Sequence, residues 1–126
     1  MKKIFDIFSK KKESPQIREK IIIDFREKNS LVPSELMKLN FQIEFQQLPV
    51  ADYIIKNIII ERKTISDLKS SIINKRIFSQ LADLKQSNNS ILIIEGEKEN
   101  LYTPPLHENA TRGFLLSVAT EYKVPF

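Results

Sequence analysis

The sequence predicts an α/β fold, a central mixed sheet flanked by helices, and three observations predict it. Apolar runs of strand length, such as Ile21-Ile22-Ile23, Ile58-Ile59-Ile60 and Ile91-Leu92-Ile93-Ile94, recur along the chain. Their continuous apolar character is that of strands covered on both faces. Between them lie segments whose apolar residues follow a helical period, so strands and helices alternate.

The elements follow in order. Ile21–Ile23 reads as a short buried strand that delivers Asp24, Arg26 and Glu27 at its end. Val32–Leu36 opens a short helix, with Pro33 suited to a first turn where no N–H is needed. Phe41–Gln46 alternates apolar and polar residues as a half-buried strand. Two strands, Asp52–Lys56 and Ile58–Glu61, are joined tightly around Asn57. From Ile65 to Gln86 the period becomes helical, with Ile65, Leu68, Ile72, Ile77, Leu81 and Leu84 on one face and Asn74-Lys75 as a candidate break. Ser90–Gly96 is another buried strand, Lys98–His107 a loop, and Glu108–Lys123 a last helix with Phe114, Leu115, Val118 and Tyr122 inward. Lys123–Phe126 has the character of entry to a further strand, supplied either by more of the chain or by another polypeptide.

Composition narrows the chemistry. The 126 residues suffice for one domain with a core. There is no cysteine and a single histidine, His107, so disulfides and zinc sites built on Cys or His are disfavoured. Any metal is held by oxygen ligands, which favours Mg²⁺ or Mn²⁺. No apolar run approaches the ~20 residues of a membrane helix, and the first residues lack the apolar core of a signal peptide, which predicts an intracellular protein. Charge is uneven: residues 1–20 hold seven Lys/Arg and three Asp/Glu, whereas residues 21–126 hold thirteen of each. Residues 1–19 therefore read as a basic tail or linker, and residues 20–126 as the folded domain.

The chemistry centres on Glu61-Arg62-Lys63, with Asp52 nine residues before Glu61. Two carboxylates and a lysine at the ends of adjacent strands suit metal-dependent phosphodiester cleavage. The anionic diester repels an incoming hydroxide, and a divalent cation offsets that repulsion. Asp52 and Glu61 are the expected ligands, and Asp24 and Glu27 are candidates to complete the cluster. Lys63, two residues beyond Glu61, points to the same side of an extended strand and can orient water or stabilise transition-state charge. Arg62 points away, to grip a phosphate or form an ion pair. Arg76 and Gln80 share a helix face and can contact DNA or brace the site; a solvated face is an equal reading. His107 reads as incidental. Taken singly, each acid fits a solvated cap or surface ion pair; together they favour a nuclease.

With these residues in place, the chain resembles the nuclease domain of the XPF/Hef family of structure-specific endonucleases. The likeness rests on Asp24-Phe25-Arg26-Glu27, Ala51-Asp52, Glu61-Arg62-Lys63 with Asp67, Arg76 with Gln80, and Ile94-Glu95-Gly96. It implies a restriction-endonuclease-like core and Mg²⁺- or Mn²⁺-dependent cutting of branched DNA near single-strand/double-strand junctions. It implies that Asp24, Glu27, Asp52 and Glu61 form the acidic cluster. Lys63 is then catalytic, Arg62 and Asp67 support it, and Arg26, Arg76 and Gln80 are DNA contacts or braces. Two glycines of the family pattern are replaced, by Ala51 and Lys75. The family's helix-hairpin-helix module and the last strand and helix of its nuclease domain fall outside the match. A second polypeptide, or more of a longer one, is therefore expected to supply them in a homo- or heterodimer. The head, through Ile4, Ile7 and Phe8, resembles a sliding-clamp peptide; an amphipathic start packed on this protein or its partner is the favoured reading. A non-catalytic family subunit, a sequence-specific restriction-type nuclease and a clamp-binding adaptor are the alternatives.

Overall fold

The computed structural model describes residues 18–126. Most of the 1–19 tail, with Ile4, Ile7 and Phe8, lies outside the described residues. The elements are β1 (Lys20–Asp24), a 3-10 turn (Phe25–Glu27), α1 (Val32–Lys38), β2 (Gln42–Gln46), β3 (Tyr53–Ile55), β4 (Ile58–Thr64), α2 (Ile65–Ile73), α3 (Arg76–Lys85), β5 (Ser90–Glu95), α4 (Lys98–Leu101) and α5 (Glu108–Ser117). A π-helical turn, Val118–Tyr122, continues α5.

The strands form one five-stranded mixed sheet in the order β2-β1-β3-β4-β5. β1 and β2 are parallel, β4 and β5 are parallel, and β3 is antiparallel to both its neighbours. β3 and β4 form a hairpin whose register pairs Ile55 with Ile58 across the Lys56-Asn57 turn.

Each face of the sheet carries a core. On one face Leu68, Ile77, Leu81, Leu84, Leu92, Phe114 and Val118 are buried, with Ile59 packed against them. On the other, Ile21, Ile23 and Tyr53 are buried beneath Val32 and Leu36 of α1, with Ile60 alongside. Because side chains alternate along a strand, Glu61 and Lys63 share the Ile59 face and Arg62 shares the Ile60 face.

The predicted helix of 65–86 divides at Asn74-Lys75. Lys75 holds φ of +65°, and the Asn74 side chain accepts from the Arg76 N–H. α2 begins where the Thr64 hydroxyl accepts from the Asp67 N–H, so one threonine ends β4 and caps the helix. Two expectations are corrected. The 98–107 loop contains α4, which begins once Gly96 has turned the chain, and the buried Lys69 ammonium holds that segment. Its Nζ donates to the Asn100 carbonyl and, at 2.8 Å, to that of Thr103. The last α-helix stops at Ser117 instead of Lys123, because the chain widens into the π turn and leaves through Lys123 at φ +55°. The segment beyond runs beside β5, where the Leu92 N–H donates to the Pro125 carbonyl at 2.8 Å.

Both replaced glycines prove to need positive φ: Ala51 is at +71° and Lys75 at +65°. At Ala51 the methyl is buried in the core, and that burial (about 0.8 kcal/mol) offsets part of the left-handed strain. Lys75 is exposed and has no such compensation. Lys75→Gly is therefore expected to stabilise the fold by about 0.5–1 kcal/mol, the left-handed cost of about 1–2 kcal/mol less the entropy of glycine. Thermal unfolding measures it; a lower melting temperature refutes the strain argument. Gly96 has a different reason: a Cβ there would lie 2.7 Å from the Ile65 side chain that starts α2.

Candidate active site

The antiparallel placement of β3 brings its start to the end of the sheet where β1 and β4 run out. The Asp24 N–H donates to the Asp52 carbonyl at 2.9 Å, and the Asp52 N–H donates to the Ile60 carbonyl at 2.9 Å. Asp24 at the end of β1, Asp52 just before β3 and Glu61 in β4 are thus set beside one another.

Asp52, Glu61 and Lys63 are all buried, at 7%, 8% and 7% exposure, which for charged residues requires partners. The Asp52 carboxylate accepts the Arg62 backbone N–H at 2.9 Å. Lys63 Nζ stands 3.6 Å from the Glu61 carboxylate. Burial, then the Asp52 charge, pushes the Glu61 carboxyl up to about 7; Lys63 and Arg26 only partly counter this. Burial likewise raises the Asp52 carboxyl, against the Arg62 N–H that favours its ionised form. Two carboxylates are thus held against desolvation beside one ammonium.

Asp24 and Glu27, expected as further ligands, are turned to other partners. The Asp24 carboxylate accepts from the Arg26 N–H at 2.9 Å, from Arg26 Nε at 2.6 Å and from the Leu48 N–H at 2.8 Å. Burial opposes its charge, but these donors outweigh burial and hold its carboxyl below the usual range. Asp24 therefore caps the 3-10 turn and anchors the Arg26 guanidinium. Glu27 accepts from the Tyr53 hydroxyl at 2.5 Å and pairs with Arg62 at 3.3 Å. Arg62 lies on the opposite sheet face from Lys63, as alternation predicts, and bridges Glu27 to Glu95. Tyr53 and Glu95 had no predicted role in the site. Alternation from Asp52 and the parallel register of β4 with β5, which sets Arg62 beside Ile93 and Thr64 beside Glu95, are the signals that find them.

Gln80 reaches the site and Arg76 does not take part in it. A small cavity of about 60 Å³ is lined by Arg26, Ala51, Glu61, Gln80 and Asp83. Within it, Gln80 Oε1 is buried with no hydrogen-bond partner. Arg76, exposed at the start of α3, and Asp67, exposed in the first turn of α2, remain available to a ligand. His107 caps α5, its Nδ1 accepting the Asn109 N–H at 3.1 Å.

Among the described residues, no three carboxylate or imidazole side chains converge as a metal-holding group. The paired carboxylates of Asp52 and Glu61 nonetheless suit Mg²⁺ or Mn²⁺. Such an ion takes one or two protein carboxylates, completes its shell with water and phosphate oxygens, and brings a positive charge that offsets the burial raising both groups. No helix among the described residues is long and apolar enough to cross a membrane.

Residues 23–126 match the family model described as the ERCC4 domain. A Methanocaldococcus jannaschii protein bearing the name of an ATP-dependent RNA helicase is 42% identical over 107 residues, covering 84% of this chain and 13% of that protein. The 3'-flap repair endonuclease Xpf of Saccharolobus solfataricus is 35% identical over 107 residues, covering 83% of this chain and 46% of its own length. Among solved structures, XPF from Aeropyrum pernix in complex with DNA superposes with a TM-score of 0.76 at 31% identity, covering 86% of this chain and 55% of that one. The chain thus spans about half or less of these relatives.

Proposed function

Because the chain belongs to the ERCC4-domain family of XPF-type nucleases, we propose that it is the catalytic part of a metal-dependent, structure-specific DNA endonuclease. It acts inside the cell on branched DNA, near the junction of single and double strands, in repair or fork processing. The observation that carries this reading is the buried Asp52-Glu61-Lys63 group, with the Lys63 ammonium 3.6 Å from the Glu61 carboxylate.

The roles divide as follows. Asp52 and Glu61 would hold Mg²⁺ or Mn²⁺, while Asp24 and Glu27, engaged by Arg26 and Leu48 and by Tyr53 and Arg62, brace the site around them. Once bound, such an ion supplies Lewis-acid polarisation of the phosphoryl oxygen and a water of lowered pKa. Lys63 orients the attacking water and offsets the charge that develops on the phosphoryl oxygens. Arg26, fixed by Asp24 on the wall of the cavity shared with Glu61, draws the DNA phosphate toward the carboxylates. Arg62 ties β1, β4 and β5 together through Glu27 and Glu95, and its own N–H fixes the Asp52 carboxylate. Gln80 stands beside Glu61 on the cavity wall, Asp67 supports the start of α2, and Arg76, exposed at the start of α3, contacts DNA.

The protein works in a homo- or heterodimer, with a helix-hairpin-helix module supplied by a second polypeptide or by more of a longer one. The tail carries a clamp peptide or an amphipathic contact through Ile4, Ile7 and Phe8. The test is cleavage of labelled flap, splayed-arm and blunt duplex DNA with Mg²⁺, Mn²⁺ or chelator, by this chain with and without the completing polypeptide. Cutting confined to branched DNA and abolished by chelator supports the proposal. Equal cutting of random duplex, or none by a folded and complete assembly, refutes it.

A further inference from the structure

Phe25, the residue after the first acid of the Asp24-Phe25-Arg26-Glu27 motif, has no part in the chemistry above, and its surroundings point to one. A phenylalanine at the end of a buried strand is expected inside; this one is 52% exposed. Its ring stacks on Phe45, with centroids 6.5 Å apart and planes inclined by 17°. Phe45 is itself half-buried at the edge of the α1-side core. The pair therefore has an anchored inner ring and an outer ring with one face free.

Two cations flank this pair. Lys28 Nζ lies 5.8 Å from the centre of the Phe45 ring. The Arg26 side chain, next in sequence to Phe25, is 68% exposed while its Nε holds Asp24. Glu27, the acid of the same turn, is directed inward and neutralised by Tyr53 and Arg62. The turn thus presents an aromatic face flanked by a guanidinium and an ammonium.

A ligand with a flat aromatic face and an adjacent negative charge fits this surface, and a nucleotide has both. Base stacking on aromatic side chains is sequence-tolerant, because every base has a π face. A base inside a duplex has both faces covered by its neighbours, so it cannot extend the Phe25-Phe45 stack without being pulled out. An unpaired base can. Resting on the nuclease reading above, we propose that Phe25 is a stacking platform for an unpaired nucleotide beside the active site, with Arg26 and Lys28 on its phosphates. Phe25 follows Asp24, whose N–H donates to the Asp52 carbonyl at 2.9 Å, so an occupied platform holds the single strand at the same end of the sheet as Asp52 and Glu61, on the α1-side face. The platform then accounts for a preference for junctions over continuous duplex by something other than the catalytic group.

The test uses the full chain and flap DNA carrying 2-aminopurine at the first unpaired position, without metal. The wild-type protein is expected to quench the fluorescence. Phe25→Ala should lose the quench and bind flap roughly tenfold more weakly, with binding of blunt duplex unchanged. Phe25→Leu, which keeps an apolar cover over Phe45, should behave as Phe25→Ala, and Phe25→Trp should restore both signals. Retention of quench and affinity in Phe25→Ala, or full rescue by leucine, overturns the platform. Cutting of the same flap by the wild-type protein with Mg²⁺ is read in parallel. If cutting is present and the platform variants are silent, only the platform fails. If the quench behaves as expected without any cutting, even with the completing polypeptide added, the platform stands and the nuclease reading fails.

Discussion

Lys63→Ala is expected to lower the rate of flap cutting by at least about 100-fold, the usual cost of removing one preorganised group that stabilises transition-state charge. Binding of the same DNA should stay within about twofold, because Lys63 is buried at 7% exposure and presents little surface to the duplex. Two effects need separating, since the ammonium is also the nearest positive charge to Glu61. Removing it leaves two buried carboxylates facing each other, so the variant also loses stability above neutral pH. Lys63→Met separates them. It keeps the length of the buried stem and discards the charge, so it should be as inactive as Lys63→Ala and better packed. Single-turnover cleavage at saturating protein, beside anisotropy with the same DNA, makes the measurement. A Met variant that cuts at even a tenth of the wild-type rate would show that Lys63 serves packing and not chemistry.

Glu61→Gln should stabilise the metal-free chain, with an effect that depends on pH. The Glu61 carboxyl moves from an ordinary value of 4.5 to about 7 on folding, through burial first and the charge of Asp52 second. A carboxyl raised in the folded state binds a proton there that the unfolded chain has already released. Stability therefore falls as pH rises from about 4.5 to about 7 and is flat above. Glutamine resembles the protonated acid and escapes this loss. At ~1.4 kcal/mol for each pH unit, the gain at pH 8 is about 3 kcal/mol, and near pH 4 it vanishes. For a chain of this length that is roughly a 10 °C rise in melting temperature. Divalent metal should raise the melting temperature of the wild-type chain at pH 8 and have little effect on the variant. Melting curves at pH 4, 6 and 8, with and without Mg²⁺, decide it. A gain independent of pH would mean that Glu61 titrates as an ordinary surface acid.

These two predictions come from different levels of information. That Lys63 and Glu61 share a side follows from strand alternation, which needs only the apolar run before them to fix the secondary structure. That Glu61 is hard to ionise does not follow from its neighbours in sequence. It depends on Asp52 arriving from β3 and on α3 closing over the end of β4, with Gln80 and Asp83 on the same cavity wall. Asp24 illustrates the same limit. Its position at the end of a strand was readable, but its three donors include the Leu48 N–H from the far side of β2. That contact holds the carboxylate to which Arg26 Nε donates. Tyr53 reads as an ordinary strand aromatic until β1 and β3 pair and its hydroxyl meets Glu27 at 2.5 Å.

The sequence by itself determined the alternation of strands and helices, the buried faces of α2 and α3, and the acidic motif with its lysine. These rest on periods of two and 3.6 residues, which local order carries in full. The folded chain decided the antiparallel insertion of β3 between β1 and β4, the partners that meet Arg62 and Lys63, and the left-handed backbone at Ala51 and Lys75. It also decided that Asp24 and Glu27 are engaged by Arg26, Leu48, Tyr53 and Arg62. Each of these depends on groups far apart in the chain meeting in a low-dielectric interior. There the energy of a charge is set by whatever surrounds it, and no local pattern encodes those surroundings.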